Sequence, residues 1–297
     1  TLLRHADQAM YQSKQSGKNT FTFFDPDQDR DVLEQSARLS RLIKAIESDE
    51  LVLEYQPQID MLDGSLHGIE ALVRWQHPEL GRLQPDQFLP LTEGHPSSVK
   101  LDWWVIEAAL KQFRSWASLA IRPKISVNLS PMTLQMSDFV DRLGSLLEQY
   151  PEGCGVLQME ILETDTMVDT ELISRTIQQC KTLGVNFALD DFGTGYSSLT
   201  YLRQLPAETI KIDRSFVQGM LADSDDLKIV EGIVALARAF QRTLVAEGVE
   251  SIDHGHALLQ LGCRYAQGFG IARPMPAQDF VSWQSEYSVP QEWLARH

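Results

Sequence analysis

Apolar residues recur along this chain in two rhythms. Short runs rich in Val, Ile and Leu alternate with longer stretches of helical period. The first helical pattern covers about residues 1–17, and a strand-like run follows at Thr20-Phe21-Thr22-Phe23-Phe24, broken by Asp25-Pro26-Asp27. A second helix is expected over about Asp29–Glu47, with Leu33, Ala37, Leu39, Leu42, Ile43 and Ile46 on its apolar side. From Leu51 the rhythm becomes β/α. The strand candidates are Leu51–Tyr55, His67–Arg74, Ile125–Val127, Val156–Met159, Val185–Asp190, Thr209–Ile212, Thr243–Ala246 and Tyr265–Ala266. Only the first two lie close together, joined by a turn at Asp63-Gly64.

Eight such units in roughly 250 residues suit a (β/α)8 barrel. The hairpin makes one strand antiparallel. The expected fold is therefore α/β, an irregular TIM-like barrel with one antiparallel strand and a short N-terminal helix/strand extension. In a barrel of this kind the functional groups gather at the C-terminal strand ends. Here those ends are polar, carrying Glu70, Asn128, Glu160, Asp190, Asp191 and Glu247.

Converging tips would make these residues an oxygen-rich cage, which suits hard divalent cations such as Mg²⁺ or Mn²⁺ and not zinc. Five carboxylates exceed the need of one ion. Two ions roughly 3.5–4 Å apart would use them, with Asp190 as the shared ligand. Lys211 points into the same acidic mouth, where it stays protonated and orients water or stabilises charge on phosphate. Arg74, just beyond Glu70, is placed to take a phosphate. In Ala188-Leu189-Asp190-Asp191-Phe192-Gly193-Thr194-Gly195-Tyr196 the strand delivers its two acids to a glycine loop.

Composition narrows the chemistry. The 297 residues are 43% hydrophobic, enough to bury a core, and carry a formal charge of −15. That balance argues against polymeric nucleic acid as a partner. There is no long apolar run and no signal peptide, so the segment is expected to be soluble, cytoplasmic and without direct membrane contact. A start at Thr1 reads as part of a longer chain. Cys154, Cys180 and Cys263 have no metal-ligand spacing and read as reduced thiols. Asp223, Asp225 and Asp226 read as a solvated helix start, and His254 and His256 as the start of a surface helix. Trp103 and Trp104 sit in a helix of core character.

The motifs Glu70-Ala71-Leu72-Val73-Arg74, Asn128-Leu129-Ser130, Glu160-Ile161-Leu162-Glu163, Asp190-Asp191-Phe192-Gly193, Lys211-Ile212-Asp213, Glu247-Gly248-Val249-Glu250 and Gln267-Gly268-Phe269 together resemble the EAL-domain family of cyclic-di-GMP phosphodiesterases. Residues 5–24 resemble the last helix and strand of a GGDEF domain, whose signature is absent. The implied organisation is a GGDEF remnant and linker over 1–28, an EAL domain over 29–285 and a tail over 286–297. The resemblance implies hydrolysis of cyclic-di-GMP to linear pGpG with two Mg²⁺ or Mn²⁺ ions. The competing possibility is a catalytically silent cyclic-di-GMP receptor.

By the same resemblance, Glu70, Asn128, Glu160 and Asp190 hold one metal, while Asp190, Asp191 and Glu247 serve the second. Lys211 and Gln267 attend the attacking water. Gln56, Leu72, Arg74, Asp213, Glu250, Phe269 and Pro274 contact nucleotide, and Glu163 braces the loop 192–198. A homodimer and upstream GGDEF and sensor domains in the parent chain are also implied. Leu162 departs from the Thr common in the family, as does the wording Thr92-Glu93-Gly94-His95-Pro96.

Overall fold

The structure, a computed structural model, describes residues 26–162, 169–195 and 199–294. The expected helix over 1–17 and strand over 20–24 lie outside these residues, as does Glu163. In chain order the principal elements are α1 (Pro26–Glu47), β1 (Leu51–Asp60), β2 (Leu66–His77), β3 (Gly81–Leu83), α2 (Ser97–Ser118), β4 (Ile125–Asn128), α3 (Pro131–Leu134), α4 (Phe139–Gln149), β5 (Leu157–Leu162) and α5 (Thr170–Thr182). They continue with β6 (Asn186–Phe192), α6 (Leu199–Gln204), β7 (Thr209–Ile212), α7 (Arg214–Gly219), α8 (Ser224–Ala239), β8 (Thr243–Ala246), α9 (Ile252–Leu261), β9 (Tyr265–Ala266), α10 (Ala277–Glu286) and α11 (Gln291–Leu294).

The strands form one sheet in the order β1-β9-β8-β7-β6-β5-β4-β2-β3, and β1 also pairs with β2. That pairing closes an eight-stranded barrel and leaves β3 bonded outside it. β1 runs antiparallel to both neighbours, with Gln56 opposite Glu70 on β2 and Ile59 opposite Ala266 on β9. The other barrel neighbours are parallel. The irregular TIM-like barrel read from the sequence is therefore the fold, and its single reversed strand is β1. The three-residue β3 was not foreseen.

Alternation along the strands explains what fills the barrel. Successive side chains point to opposite faces. Ile69, Ile125, Val127, Leu157, Met159, Phe187, Ile210 and Ile212 are fully buried, and they form the apolar set that packs under the helices. The alternate positions, Glu70, Ser126, Asn128, Gln158, Glu160, Asp190, Thr209 and Lys211, are polar and face inward. Low in the barrel they satisfy one another: Ser126 Oγ donates to Gln158 Oε1 at 3.0 Å, and Gln158 Nε2 donates to Thr209 Oγ1 at 2.9 Å. The interior is thus a hydrogen-bonded column with the charged groups on top.

Three details differ from the sequence pattern. The apolar side of α1 is buried only near its C-terminal end, at Leu42, Ala45 and Ile46, while Leu33 is exposed. His254 is not on the surface. It is buried, and its Nδ1 accepts from the Glu250 amide at 3.4 Å. Beyond residue 286 the described residues 287–294 pack against the barrel's outer layer, since Trp293 is buried and its Nε1 donates to Ile252 O at 2.8 Å. Gly255 makes room for that ring, because a Cβ there would lie 2.3 Å from it. Asp223, by contrast, caps α8 through the Asp225 amide as a helix-start acid should. No helix among the described residues is long and apolar enough to cross a membrane.

His67 stacks on Tyr265 with ring centroids 3.8 Å apart. Burial, helped by Lys124, pushes its imidazole down to about 4. The folded state therefore prefers neutral His67, and the unfolded chain protonates it near 6.5. Its stabilising contribution is complete above pH 6.5 and is lost as pH falls toward 4. Urea unfolding at pH 7.0 and 4.5 should show a smaller loss of stability for His67→Phe than for the wild type. An equal loss in both would remove His67 as a contributor.

Candidate metal and active site

The site is assembled on the C-terminal ends of the parallel strands. Glu70 comes from β2, Asn128 from β4, Glu160 from β5, Asp190 and Asp191 from β6, and Lys211 from β7. Glu247 follows β8 directly, and Gln267 follows β9. Parallel pairing in register sets their heights, with Asn128 opposite Glu160 and Leu162 opposite Asp190.

Lys211 is the centre. Its side chain is 1% exposed, and its Nζ lies 2.6 Å from Glu247 Oε1, 2.7 Å from Glu160 Oε2, 3.1 Å from Asp190 Oδ1 and 3.5 Å from Glu70 Oε2. Burial works against its charge, but the four carboxylates prevail and hold the ammonium well above the usual lysine range. The carboxylates respond in the opposite sense. Burial drives Glu160 well above the carboxylate range and Glu247 up to about 8, against the pull of Lys211. Asp190 is also raised by burial, and Asp191 is raised to about 6 by burial and by Asp190 beside it. Glu70 alone goes down, because Lys211 and hydrogen bonds from Gln267 and Asn128 outweigh its burial.

Amides complete the ring. Asn128 Nδ2 donates to Glu70 Oε1 at 2.9 Å, and Gln267 Nε2 donates to Glu70 Oε2 at 2.7 Å and Gln56 Oε1 at 2.9 Å. Gln58 Nε2 donates to Gln267 Oε1 at 2.9 Å, and Gln56 Nε2 donates to Ala272 O at 2.9 Å. Gln56 thus spends its amide holding the ring together. Gln58, on the same reversed strand, is a member that the sequence reading missed. Its signal was the alternation Gln56, Gln58 on β1. Gly268 lets the β9 end approach the β8 loop, where a Cβ would meet Val249 O at 2.2 Å.

Asp190 and Asp191 would face opposite ways on a regular strand. The β6–β7 register shifts between Leu189 and Phe192, and Asp191 takes a left-handed φ of 50°. This bulge turns both acids toward the mouth. As a result, carboxylate oxygens gather in two groups. One oxygen each from Glu70, Glu160 and Asp190 lies within 4.8 Å of the others, and the same holds for Asp190, Asp191 and Glu247. Asp190 belongs to both.

This donor set fits divalent metal. It is all oxygen, and its charge is unbalanced, with four carboxylates meeting one ammonium. Glu160 Oε1 is buried without a hydrogen-bond partner among the described residues. A buried, unpaired carboxylate oxygen is costly unless protonated or bound to a cation.

The other sequence candidates lie around the rim. Arg74 is buried, with Nε on Glu54 Oε2 at 2.9 Å and Nη1 on Val73 O at 2.9 Å. Asp213 caps α7 through the Ser215 amide, and Glu250 accepts from Gln218 Nε2 at 2.8 Å. Phe269 is 51% exposed, and Arg273 lies over its ring at 4.4 Å, so it is a rim aromatic and not a core one. Leu72 and Pro274 are half-buried. Behind the β4 tip, Asp102 on α2 accepts from the Ser130 amide at 3.0 Å and from Ser130 Oγ and Thr133 Oγ1 at 2.5 Å each. This anchor had no sequence signal beyond an acid within a core helix.

An irregular barrel with a two-group carboxylate cage at its strand ends defines a class, and comparison places the chain within it. The chain belongs to the EAL domain family, whose model matches residues 39–274. The bifunctional diguanylate cyclase/cyclic di-GMP phosphodiesterase MucR of Pseudomonas aeruginosa is 40% identical over 282 residues, covering 95% of this chain and 41% of that protein. Cyclic di-GMP phosphodiesterase PdeR of Escherichia coli is 37% identical over 286 residues, covering 96% of this chain and 43% of that protein. The chain thus spans less than half the length of these curated relatives. The solved c-di-GMP complex of the PaMucR phosphodiesterase superposes with a TM-score of 0.78 at 41% identity, covering 82% of this chain and 99% of that one.

The charge balance around Lys211 is directly testable. Lys211→Met removes the counter-charge of four carboxylates. Breaking such a buried pairing costs about 3–5 kcal/mol. Thermal melting in chelator should show a much lower midpoint than the wild type, and added Mn²⁺ should recover more of the loss than it adds to the wild type. Equal midpoints in chelator would show that Lys211 does not hold the cage together.

Proposed function

We propose that this chain hydrolyses one phosphodiester of cyclic-di-GMP to give linear pGpG, using two Mg²⁺ or Mn²⁺ ions. The observation that carries this reading is the pair of carboxylate groups sharing Asp190 above a polar barrel. Family membership and the activities of the relatives MucR and PdeR support it. In the reaction a water oxygen bonds to phosphorus, the P–O3′ bond breaks, and the leaving oxygen takes up a proton.

Glu70, Asn128, Glu160 and Asp190 would hold one ion, and Asp190, Asp191 and Glu247 the other. Bound divalent cations supply Lewis-acid polarisation of the phosphoryl oxygen and of the attacking water. The remaining work falls to the chain. Lys211 keeps its proton and presents positive charge where the phosphoryl group gains negative charge. Gln267, fixed by Gln56 and Gln58, holds the Glu70 carboxylate in one orientation. Arg74, Asp213, Glu250, Phe269, Leu72 and Pro274 surround the mouth where nucleotide would lie, with Phe269 offering a face for a base. Glu163 is proposed to brace the loop 192–198. The parent protein is proposed to be a cytoplasmic-facing, multidomain homodimer, in keeping with the greater length of the relatives.

Turnover under defined metal tests the reading. pGpG should form with Mg²⁺ or Mn²⁺ and be absent with EDTA. Binding of cyclic-di-GMP without turnover under either ion would instead make the domain a receptor. Glu70→Ala removes an oxygen from one group and the acceptor of both Asn128 and Gln267. It should reduce kcat about 100-fold or more, and a rate within a few-fold of the wild type would refute the assignment of Glu70 as a ligand.

A further inference from the structure

Glu54 is a buried carboxylate beside the cage that belongs to neither oxygen group. Its side chain is 4% exposed and is shared by two guanidinium groups. Arg74 Nε donates to Oε2 at 2.9 Å, and Arg82 pairs with Oε1. The two arginines differ in their surroundings. Arg74 is 5% exposed and also bonded to Val73 O, whereas Arg82 is 42% exposed. Arg82 belongs to β3, the strand outside the barrel.

Register puts these groups on one face. Glu54 stands opposite Leu72, and Arg82 opposite Gln76. Glu70, Leu72, Arg74 and Gln76 alternate along the inward row of β2. The row therefore runs from a cage carboxylate at Glu70 to Arg74 and then to the level of Arg82. One carboxylate cannot neutralise two guanidiniums, so a formal surplus of one positive charge stands at the rim. It borders a cage in which negative charge is in excess.

A cyclic dinucleotide carries two phosphodiesters, and the cage takes one. The second remains an anion that needs a cation outside the cage. Lys211 is enclosed by four carboxylates and Arg74 is buried, while Arg82 is held at one end by Glu54 and open to solvent at the other. Tethering by Glu54 limits the freedom that Arg82 would lose on binding. We propose that Arg82 binds the phosphate that is not cleaved and so favours a cyclic dinucleotide over a simple phosphodiester. This inference rests on the proposed hydrolysis of cyclic-di-GMP.

The test is steady-state kinetics on cyclic-di-GMP with Mg²⁺ for the wild type, Arg82→Ala and Arg82→Lys, each at two salt concentrations, with thermal midpoints as a control on folding. Arg82→Ala should raise KM about tenfold with kcat within about twofold, the pattern of a lost binding contact. Arg82→Lys should recover most of the loss, since an ammonium serves a phosphate as a point charge. The wild-type KM should rise more steeply with salt than that of Arg82→Ala. An unchanged KM in Arg82→Ala overturns the proposal. So does an Arg82→Lys variant as impaired as Arg82→Ala, which would assign the fork to a guanine edge, and so does a fall in kcat accompanied by a lowered midpoint. If the wild type turns over no cyclic-di-GMP, the hydrolase reading falls. Equilibrium titration of the same nucleotide into wild type and Arg82→Ala then decides the role of Arg82, with equal affinities counting against it.

Discussion

The rest of the structure depends on one ammonium group among four carboxylates. Lys211 contributes a single positive charge to oxygens from Glu70, Glu160, Asp190 and Glu247, which arise on or just beyond four different strands. Buried charge is tolerated only when geometry and hydrogen bonding are both good. Parallel pairing supplies the geometry by fixing the relative heights of β4 to β8. A one-residue slip of β7 would turn Lys211 into the apolar layer under the helices and bring Ile210 or Ile212 into the cage. Register in this barrel is therefore fixed twice, by apolar burial outside and by charge inside.

Closure of the barrel matters for the same reason. β1 fills the gap between β9 and β2, and it does so antiparallel. Reversal puts its polar row, Gln56 and Gln58, against Gln267. The amide chain from Gln58 through Gln267 to Glu70 orients a carboxylate that would otherwise turn toward Lys211 alone. Asp102 does a comparable service from the helical layer by pinning the residues after Asn128. The upper layer of the interior is thus held from below, from the side and from behind, which is what a site needs if its ligand oxygens are to stay in place.

Much of this was legible because short β-rich apolar runs alternate along the chain with stretches of helical period and end in polar residues. The eight barrel strands and the acids at their ends follow from that rhythm, and the reversal follows from the turn at Asp63-Gly64 between the two strands that lie close together. What stayed hidden was set by contacts remote in sequence or by local irregularity. Gly81-Arg82-Leu83 is too short to show a period, so β3 left no trace. Alternation alone would send Asp191 away from Asp190, and the bulge at φ 50° is a feature of the folded backbone. The N-terminal half of α1 carries apolar residues at helical spacing, yet Leu33 finds no partner among the described residues. His254 looked like a surface residue because nothing local shows that the Glu250 loop folds back over it.

The acidity of the chain and the anionic character of a phosphodiester are at odds only until the charge is resolved in space. A formal charge of −15 repels an anion at long range, although at physiological ionic strength that repulsion is screened beyond roughly 8 Å. Inside that distance the mouth presents alternating signs across three neighbouring strands, with negative Glu70, then positive Arg74 and Arg82 about Glu54. Two divalent cations at the oxygen groups would offset the formal excess of five carboxylates over Lys211 and leave the outer end positive. A dianionic ligand would then meet the bound cations at one phosphate and guanidinium at the other. Under the proposed hydrolysis, the carboxylates deep in the site and the guanidinium groups at its rim would act as complementary parts of one arrangement, each serving one of the ligand's two separated negative charges.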